Sequence, residues 1–235
     1  MSERRVKVWD LPTRLFHWLL VATLIFQYAS AEILENAIQW HFYSGYFCLG
    51  LILFRIVWGL VGSYYARFSQ FVVPPQHAIA YLRAKNTKHY LGHNPAGAYS
   101  VILLLSLVLT QAVTGLFISD DIFSNAPYYG VLPKAWEDAA NFIHHRGFNI
   151  ILAAVALHVG AIVYYKIKHK QTLLSAMITG YKATDSASAL SNEEKPISAN
   201  TNWLLFIFCI AVVAGTLYLI VEVFAPVSEG DYYDY

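Results

Sequence analysis

Five apolar runs dominate this sequence: Leu15–Ile33, His41–Gly62, Ala98–Ser119, Ile143–Tyr165 and Asn202–Phe224. Each is close to the roughly 20 residues a helix needs to cross a hydrocarbon core about 30 Å thick. Of the 235 residues, 57% are hydrophobic and 13% charged, whereas a soluble domain carries about 25% charged residues. The chain therefore reads as an all-α integral membrane protein in contact with membrane lipid. The formal net charge is +1, with no basic surplus that would point to nucleic acid. Cys48 and Cys209 both sit in apolar runs as small hydrophobes, which is no disulfide framework.

The connections orient the spans. Arg4, Arg5, Lys7 and Arg14 crowd the start of the chain. Arg67, Arg83, Lys85 and Lys88 lie between the second and third spans, and Lys166, Lys168 and Lys170 follow the fourth. Glu32 and Glu35 follow the first span, and Asp120, Asp121, Glu137 and Asp138 outweigh Lys134 between the third and fourth. Counting Lys and Arg puts the N-terminus inside and the C-terminus outside. Ala29-Ser30-Ala31 imitates a signal-peptide cleavage site, but Arg14, His17 and the aromatics favour a retained first span. After Pro74-Pro75, Gln76–Lys85 is expected to form a short amphipathic helix on the membrane surface. Residues 1–180 read as a four-helix domain and 181–201 as an inner linker rich in Ser, Ala and Asn. Residues 202–225 read as a fifth transmembrane helix, and 226–235 as an acidic outer tail.

Histidines carry the chemistry. His144 and His158 lie fourteen residues apart in one span. Fourteen helical steps return to nearly the same face after a rise of about 21 Å, so the two imidazoles face one way near the two sides of the membrane. Ionisable residues at such depths are expensive and mark function by default, and imidazole is a standard axial ligand of haem iron. Depth pairs His41 with His144 outside and His17 with His158 inside, each pair able to clamp one haem b. No C-x-x-C-H run occurs, so c-type attachment is excluded. His145 falls about 220° from His158 around the helix, which favours His144 as the ligand.

Two arginines carry alternative readings. Arg55, fourteen residues after His41, is either a partner for an inner haem propionate or a chain snorkelling to headgroups, and Arg14 has the same two readings. Gln27, Thr110, Gln111 and Thr114 are expected to make interhelical hydrogen bonds. His77, His89 and His93 read as solvated or headgroup-facing, with His93 also a possible proton carrier at a quinone site.

VWDLPTRLFHW at 8–18, HFYSGYFCLGLILFRIVWGLVGS at 41–63, GHNPAGAYSVILLLSLVLTQAVTGLF at 92–117 and HHRGFNIILAAVALHVG at 144–160 occur in order. Together they resemble the bacterial di-haem cytochrome b561 and nickel-hydrogenase cytochrome b-subunit family. The resemblance covers about residues 6–180. It implies a four-helix core in the bacterial cytoplasmic membrane, with two b-type haems on His17, His41, His144 and His158. Such a core moves electrons between quinone and a periplasmic cytochrome c or a dehydrogenase or hydrogenase subunit. Two other functions stand beside it: a self-contained superoxide:quinone oxidoreductase, and a structural anchor for a peripheral redox complex. Pro127, Tyr128, Tyr129 and Trp136, between the third and fourth spans, read either as a docking or quinone-adjacent surface or as a purely structural loop.

Overall fold

The structure is a computed structural model that describes residues 4–83, 90–119, 124–184 and 198–226. The centre of the expected linker (185–197), the tail from 227 onwards, and Lys85, Lys88, His89, Asp120 and Asp121 lie outside the described residues.

Helix α1 spans Leu11–Glu32. Asp10 starts it by accepting a 3.0 Å bond from the Thr13 amide, and Pro12 sits in the first turn, where a missing N–H costs nothing. A turn through Asn36 leads to α2, Ile38–Val61. Gly62 follows the end of α2, where a Cβ would lie 2.4 Å from the Trp58 carbonyl oxygen. Two short 3-10 turns, Tyr64–Ala66 and Phe68–Gln70, then fold back over the end of α2. The expected amphipathic helix is α3, Pro75–Arg83, packed on α4. Helix α4 (Pro95–Thr114) is capped by Asn94, which accepts from the Gly97 amide at 2.7 Å, and runs on as a 3-10 turn, Gly115–Phe117. Helices α5 (Lys134–His169) and α6 (Leu173–Thr179) follow. Strand β2 (Tyr181–Thr184) pairs antiparallel with β1 (Arg4–Lys7). Helix α7 (Trp203–Tyr218) closes the fold and ends in a π turn, Leu219–Val223.

Helix α1 lies along α2, α2 also packs on α4 and α7, and α5 packs chiefly on α4. The core sits where α2 meets α7. Trp58 and Ile52 are fully buried there, and Phe206 of α7 meets Phe54 and Trp58 edge-on at 5.8 and 6.0 Å. Only Ala140 and Ile151 of α5 are buried. Across a slot, α5 meets α1 and α2 through side chains: Tyr28 of α1 stacks on Phe148 of α5 with ring centres 5.7 Å apart.

Four helical stretches are long and apolar enough to cross a membrane: Ile38–Val61, Pro95–Phe117, Lys134–His169 and Trp203–Val223. They match the second to fifth expected spans. At 36 residues, α5 is about 54 Å long and overruns the expected fourth span at both ends. Helix α1 has the length, with 22 residues, but Arg14, His17, Gln27 and Glu32 dilute its apolar character. Strand β2 opens the segment expected to be a linker, and the Ala199 amide donates to the Lys7 carbonyl at 2.9 Å. Both ends of that segment are thereby tied to β1.

Asp10 is 1% exposed and also accepts a 2.9 Å bond from Trp58 Nε1, so one carboxylate joins the start of α1 to the end of α2. Asp10→Ala removes the cap and strands a buried indole N–H. It should destabilise the fold by about 2–4 kcal/mol, read as a lowered unfolding midpoint of the detergent-solubilised protein.

Candidate cofactor site

His41 and His144 face each other across the slot, at the end that the charge count assigns outside. Their ring centroids are 6.3 Å apart and their planes 80° apart. Two imidazole nitrogens each about 2 Å from one metal ion, in rings whose centres lie about 1 Å further back, require about that separation.

The hydrogen bonds decide which nitrogens are free. His144 Nδ1 lies 3.0 Å from the Gln111 carbonyl oxygen, which can only accept, so Nδ1 carries the proton. Thr114 Oγ1 donates to the Thr110 and Gln111 carbonyls and accepts a second contact from His144 Nδ1 at 3.3 Å. On the other wall, Ser30 Oγ donates to the Gln27 carbonyl at 3.2 Å. It is therefore left to accept from His41 Nδ1 at 3.1 Å. In the neutral rings both Nε2 atoms keep bare lone pairs, the state a metal ion needs, with Nδ1–H held by a second shell.

Two glutamines repeat the pattern on the backbone. Gln27 Nε2 on α1 donates to the His41 carbonyl at 3.2 Å, and Gln111 Nε2 on α4 donates to the His144 carbonyl at 2.8 Å. These are interhelical bonds of the kind expected for Gln27, Gln111 and Thr114, whereas Thr110 offers only its backbone carbonyl. Glycines give the second shell room. A Cβ on Gly115 would lie 2.8 Å from His144 Cε1, and one on Gly147 would lie 2.7 Å from Gln111 Oε1. The slot around the pair is a cavity of about 630 Å³ walled by α1, α2, α4 and α5, with Gly45 and Phe148 on its surface. Its volume and mostly apolar walls fit a porphyrin. His145 is exposed at the rim, and its Nδ1 donates to the Asn141 carbonyl at 3.0 Å.

The other end gathers the remaining expected residues. His17 of α1 and His158 of α5 lie within electrostatic reach of one another, and His17 Nδ1 is buried without a hydrogen-bond partner. Arg55 is 2% exposed, so it does not snorkel. Its Nη2 donates to the Ala66 carbonyl at 3.1 Å, Phe68 covers its guanidinium at 4.8 Å, and Nη1 is buried without a partner. Phe68 reaches there because Gly59 has no side chain: a Cβ would fall 2.1 Å from the phenyl ring. Arg14 donates to the Ile178 carbonyl, and its Nε is buried without a partner. These orphaned donors suit the carboxylates of a haem.

His93 departs from its expected solvated position, whereas His77 is exposed. His93 packs between Trp9 and Phe71 with ring centres 4.7 and 4.4 Å away, and its Nδ1 is buried. Burial first, then the nearby Arg55 and Lys182 charges, hold its imidazole far below the usual range. Four residues that build or brace the site went unread as such in the sequence: Asp10, Ser30, Gly115 and Gly147. Only Asp10 carries a local signal, as an N-cap before Leu-Pro.

Two imidazoles close together in a slot between apolar helices are an arrangement able to hold a planar, metal-centred cofactor in a membrane bundle. The profile of the prokaryotic cytochrome b561 family matches residues 8–180, and the chain belongs to that family. It is thus a membrane-integral b-type cytochrome, of a class that transfers electrons on haem b. A probable Ni/Fe-hydrogenase B-type cytochrome subunit of Rhizobium leguminosarum bv. viciae is 25% identical over 215 residues, covering 77% of this chain and 90% of that protein. The probable Ni/Fe-hydrogenase 1 B-type cytochrome subunit of Escherichia coli (strain K12) is 25% identical over 226 residues, covering 80% and 94%. The corresponding protein of Azotobacter vinelandii is 24% identical over 217 residues, covering 77% and 90%. No solved structure matches the chain.

Gly115→Val drives a side chain into the His144 ring. It should lower b-type haem per chain, measured by pyridine haemochrome, while Gly160→Ala, where a Cβ meets nothing within 4 Å, should leave it unchanged.

Proposed function

We propose that this protein conducts electrons across the bacterial cytoplasmic membrane through two b-type haems, between the quinone pool and a redox partner. His41 with His144 holds the outer haem, and His17 with His158 the inner one. Bound haem iron supplies one-electron chemistry, and two imidazoles per iron leave no position for oxygen. The observation that carries this reading is the His41–His144 pair, 6.3 Å apart with both Nδ1 protons engaged.

The protein's part is ligation, orientation and insulation. Ser30 and the Gln111 carbonyl hold the two outer rings in one tautomer, which raises ligand basicity. Apolar walls keep water from the outer site, and Arg14 and Arg55 offer charge to propionates at the inner one. The relatives named above are hydrogenase subunits, which favours a hydrogenase as the partner over a periplasmic cytochrome c. The N-terminus lies in the cytoplasm, α1 is the first of five spans, and the C-terminus lies in the periplasm, as the Lys and Arg count supports.

Purified protein should show two b-type haems per chain, with two midpoint potentials. His158→Ala should retain one haem and abolish quinone-linked electron transfer while the chain still enters the membrane. A single haem in the unaltered protein, or full quinone-linked transfer in His158→Ala, would sink the two-haem path and favour an anchor.

A further inference from the structure

Among the described residues, the inner end buries more positive charge than it neutralises. Arg55 lies in the core, Arg14 is partly buried, and Lys182 enters from β2. Asp10 is the only carboxylate at this end among the described residues. Both its oxygens are engaged, by the Thr13 amide and by Trp58 Nε1, and it forms no ion pair with Arg55. Buried cations are ordinarily paired, since leaving one unpaired costs several kcal/mol, about 3–5 where a partner has been removed.

Lys182 is the least explained of the three. Its strand is held against Val6 by the β1–β2 clasp. Its Nζ donates to the Tyr90 carbonyl at 2.6 Å and the Leu91 carbonyl at 3.4 Å, and meets no carboxylate among the described residues. An ammonium has three donors, so at least one remains. Burial pushes its pKa down to about 8, which leaves it mostly charged at neutral pH. His93 stands between the two cations: it lies two residues past Leu91, whose carbonyl Lys182 reaches, and it packs on Phe71, which touches the Phe68 ring that covers Arg55. The charges of Arg55, Lys182 and His158 all act on it. Arg55 Nη1 is itself buried without a partner among the described residues. Two cations, two free donors and a haem-ligand histidine on one node describe a seat for a carboxylate borne by the group His158 holds.

We propose that Lys182, delivered by the β1–β2 clasp, and Arg55 together hold a propionate of the inner haem. The proposal rests on the two-haem reading above. The clasp is then part of the cofactor site: it closes the inner end and brings in a countercharge from a segment that follows the last haem-bearing helix. A fixed cation beside a haem favours the reduced state, which carries one more negative charge.

The test is potentiometric titration of the holoprotein in detergent, with the inner haem identified as the component missing from His158→Ala. Lys182→Gln should make the inner haem harder to reduce by about tenfold in its redox equilibrium, roughly a 59 mV fall for one electron. The outer haem should not move. Lys182→Arg keeps the charge and should restore the inner potential. Loss of the inner haem in Lys182→Gln together with its retention in Lys182→Arg also supports the seat. Two bound haems with an unmoved inner potential in Lys182→Gln, or the same shift in both variants, would overturn it and leave Lys182 as a brace for Tyr90 and Leu91. An unaltered protein lacking the inner haem would overturn the two-haem reading and this proposal with it.

Discussion

A buried imidazole has to place its Nδ1 proton, and the bundle is organised around that requirement. His144 gives the proton to a carbonyl of α4, and His41 gives it to a serine of α1. The neighbouring glutamines reach back to the backbone of the same two histidines. These bonds weld α1 to α2 and α4 to α5. The two helix pairs then meet along the α2–α4 seam, and α5 stands off from α1 and α2 with the slot between them. A cavity of about 630 Å³ lies there, and the Nδ1 atoms of both histidines and the Nε2 groups of both glutamines are engaged within each pair, whereas Gln27 Oε1 is buried without a partner among the described residues. In an apolar surrounding, each such bond is expensive to break.

The opposite end follows a different logic. Its polar atoms are only partly satisfied: His17 Nδ1, Arg14 Nε, Arg55 Nη1 and His93 Nδ1 are all buried without partners. Native interiors leave few such groups, and these four are among the unpartnered buried atoms of the described residues; they are what the proposed inner cofactor would satisfy. The same region is also braced. Asp10 ties α1 to α2, the clasp joins the two ends of the family-matched segment, and Ala199 adds a further backbone bond to Lys7. An end that must hold charge without water needs such bracing, because any opening would admit solvent and screen the interaction.

Helix α7 lies beyond residues 8–180, the part matched by the family. It packs on α2, adds Phe206 to the aromatic cluster of Phe54 and Trp58, and is pinned at its far end where Tyr128 donates to the Ile220 carbonyl at 2.7 Å. Tyr128, expected in a docking loop, is thus engaged within the chain, whereas Trp136 stays 68% exposed. The fifth helix therefore buttresses the core without reaching the slot lined by α1, α2, α4 and α5.

The membrane class, the positions of the second to fifth expected spans and the approach of His41 to His144 were legible in the sequence, because they follow from local rules: apolar length against bilayer thickness, and a repeat of about 3.6 residues per turn. The depth argument that set His41 against His144 needed no tertiary contact. Tautomers, second shells and countercharges were not legible, because they join residues far apart in the chain. Ser30 meets His41, Gln111 meets His144, and Lys182 reaches the carbonyl of Tyr90 only once the helices have packed. His93 illustrates the limit: a histidine in a basic connection reads as solvated, and only the approach of Trp9 and Phe71 encloses it. Sequence periodicity determined which imidazoles share a level, and tertiary packing decided which nitrogen each one presents.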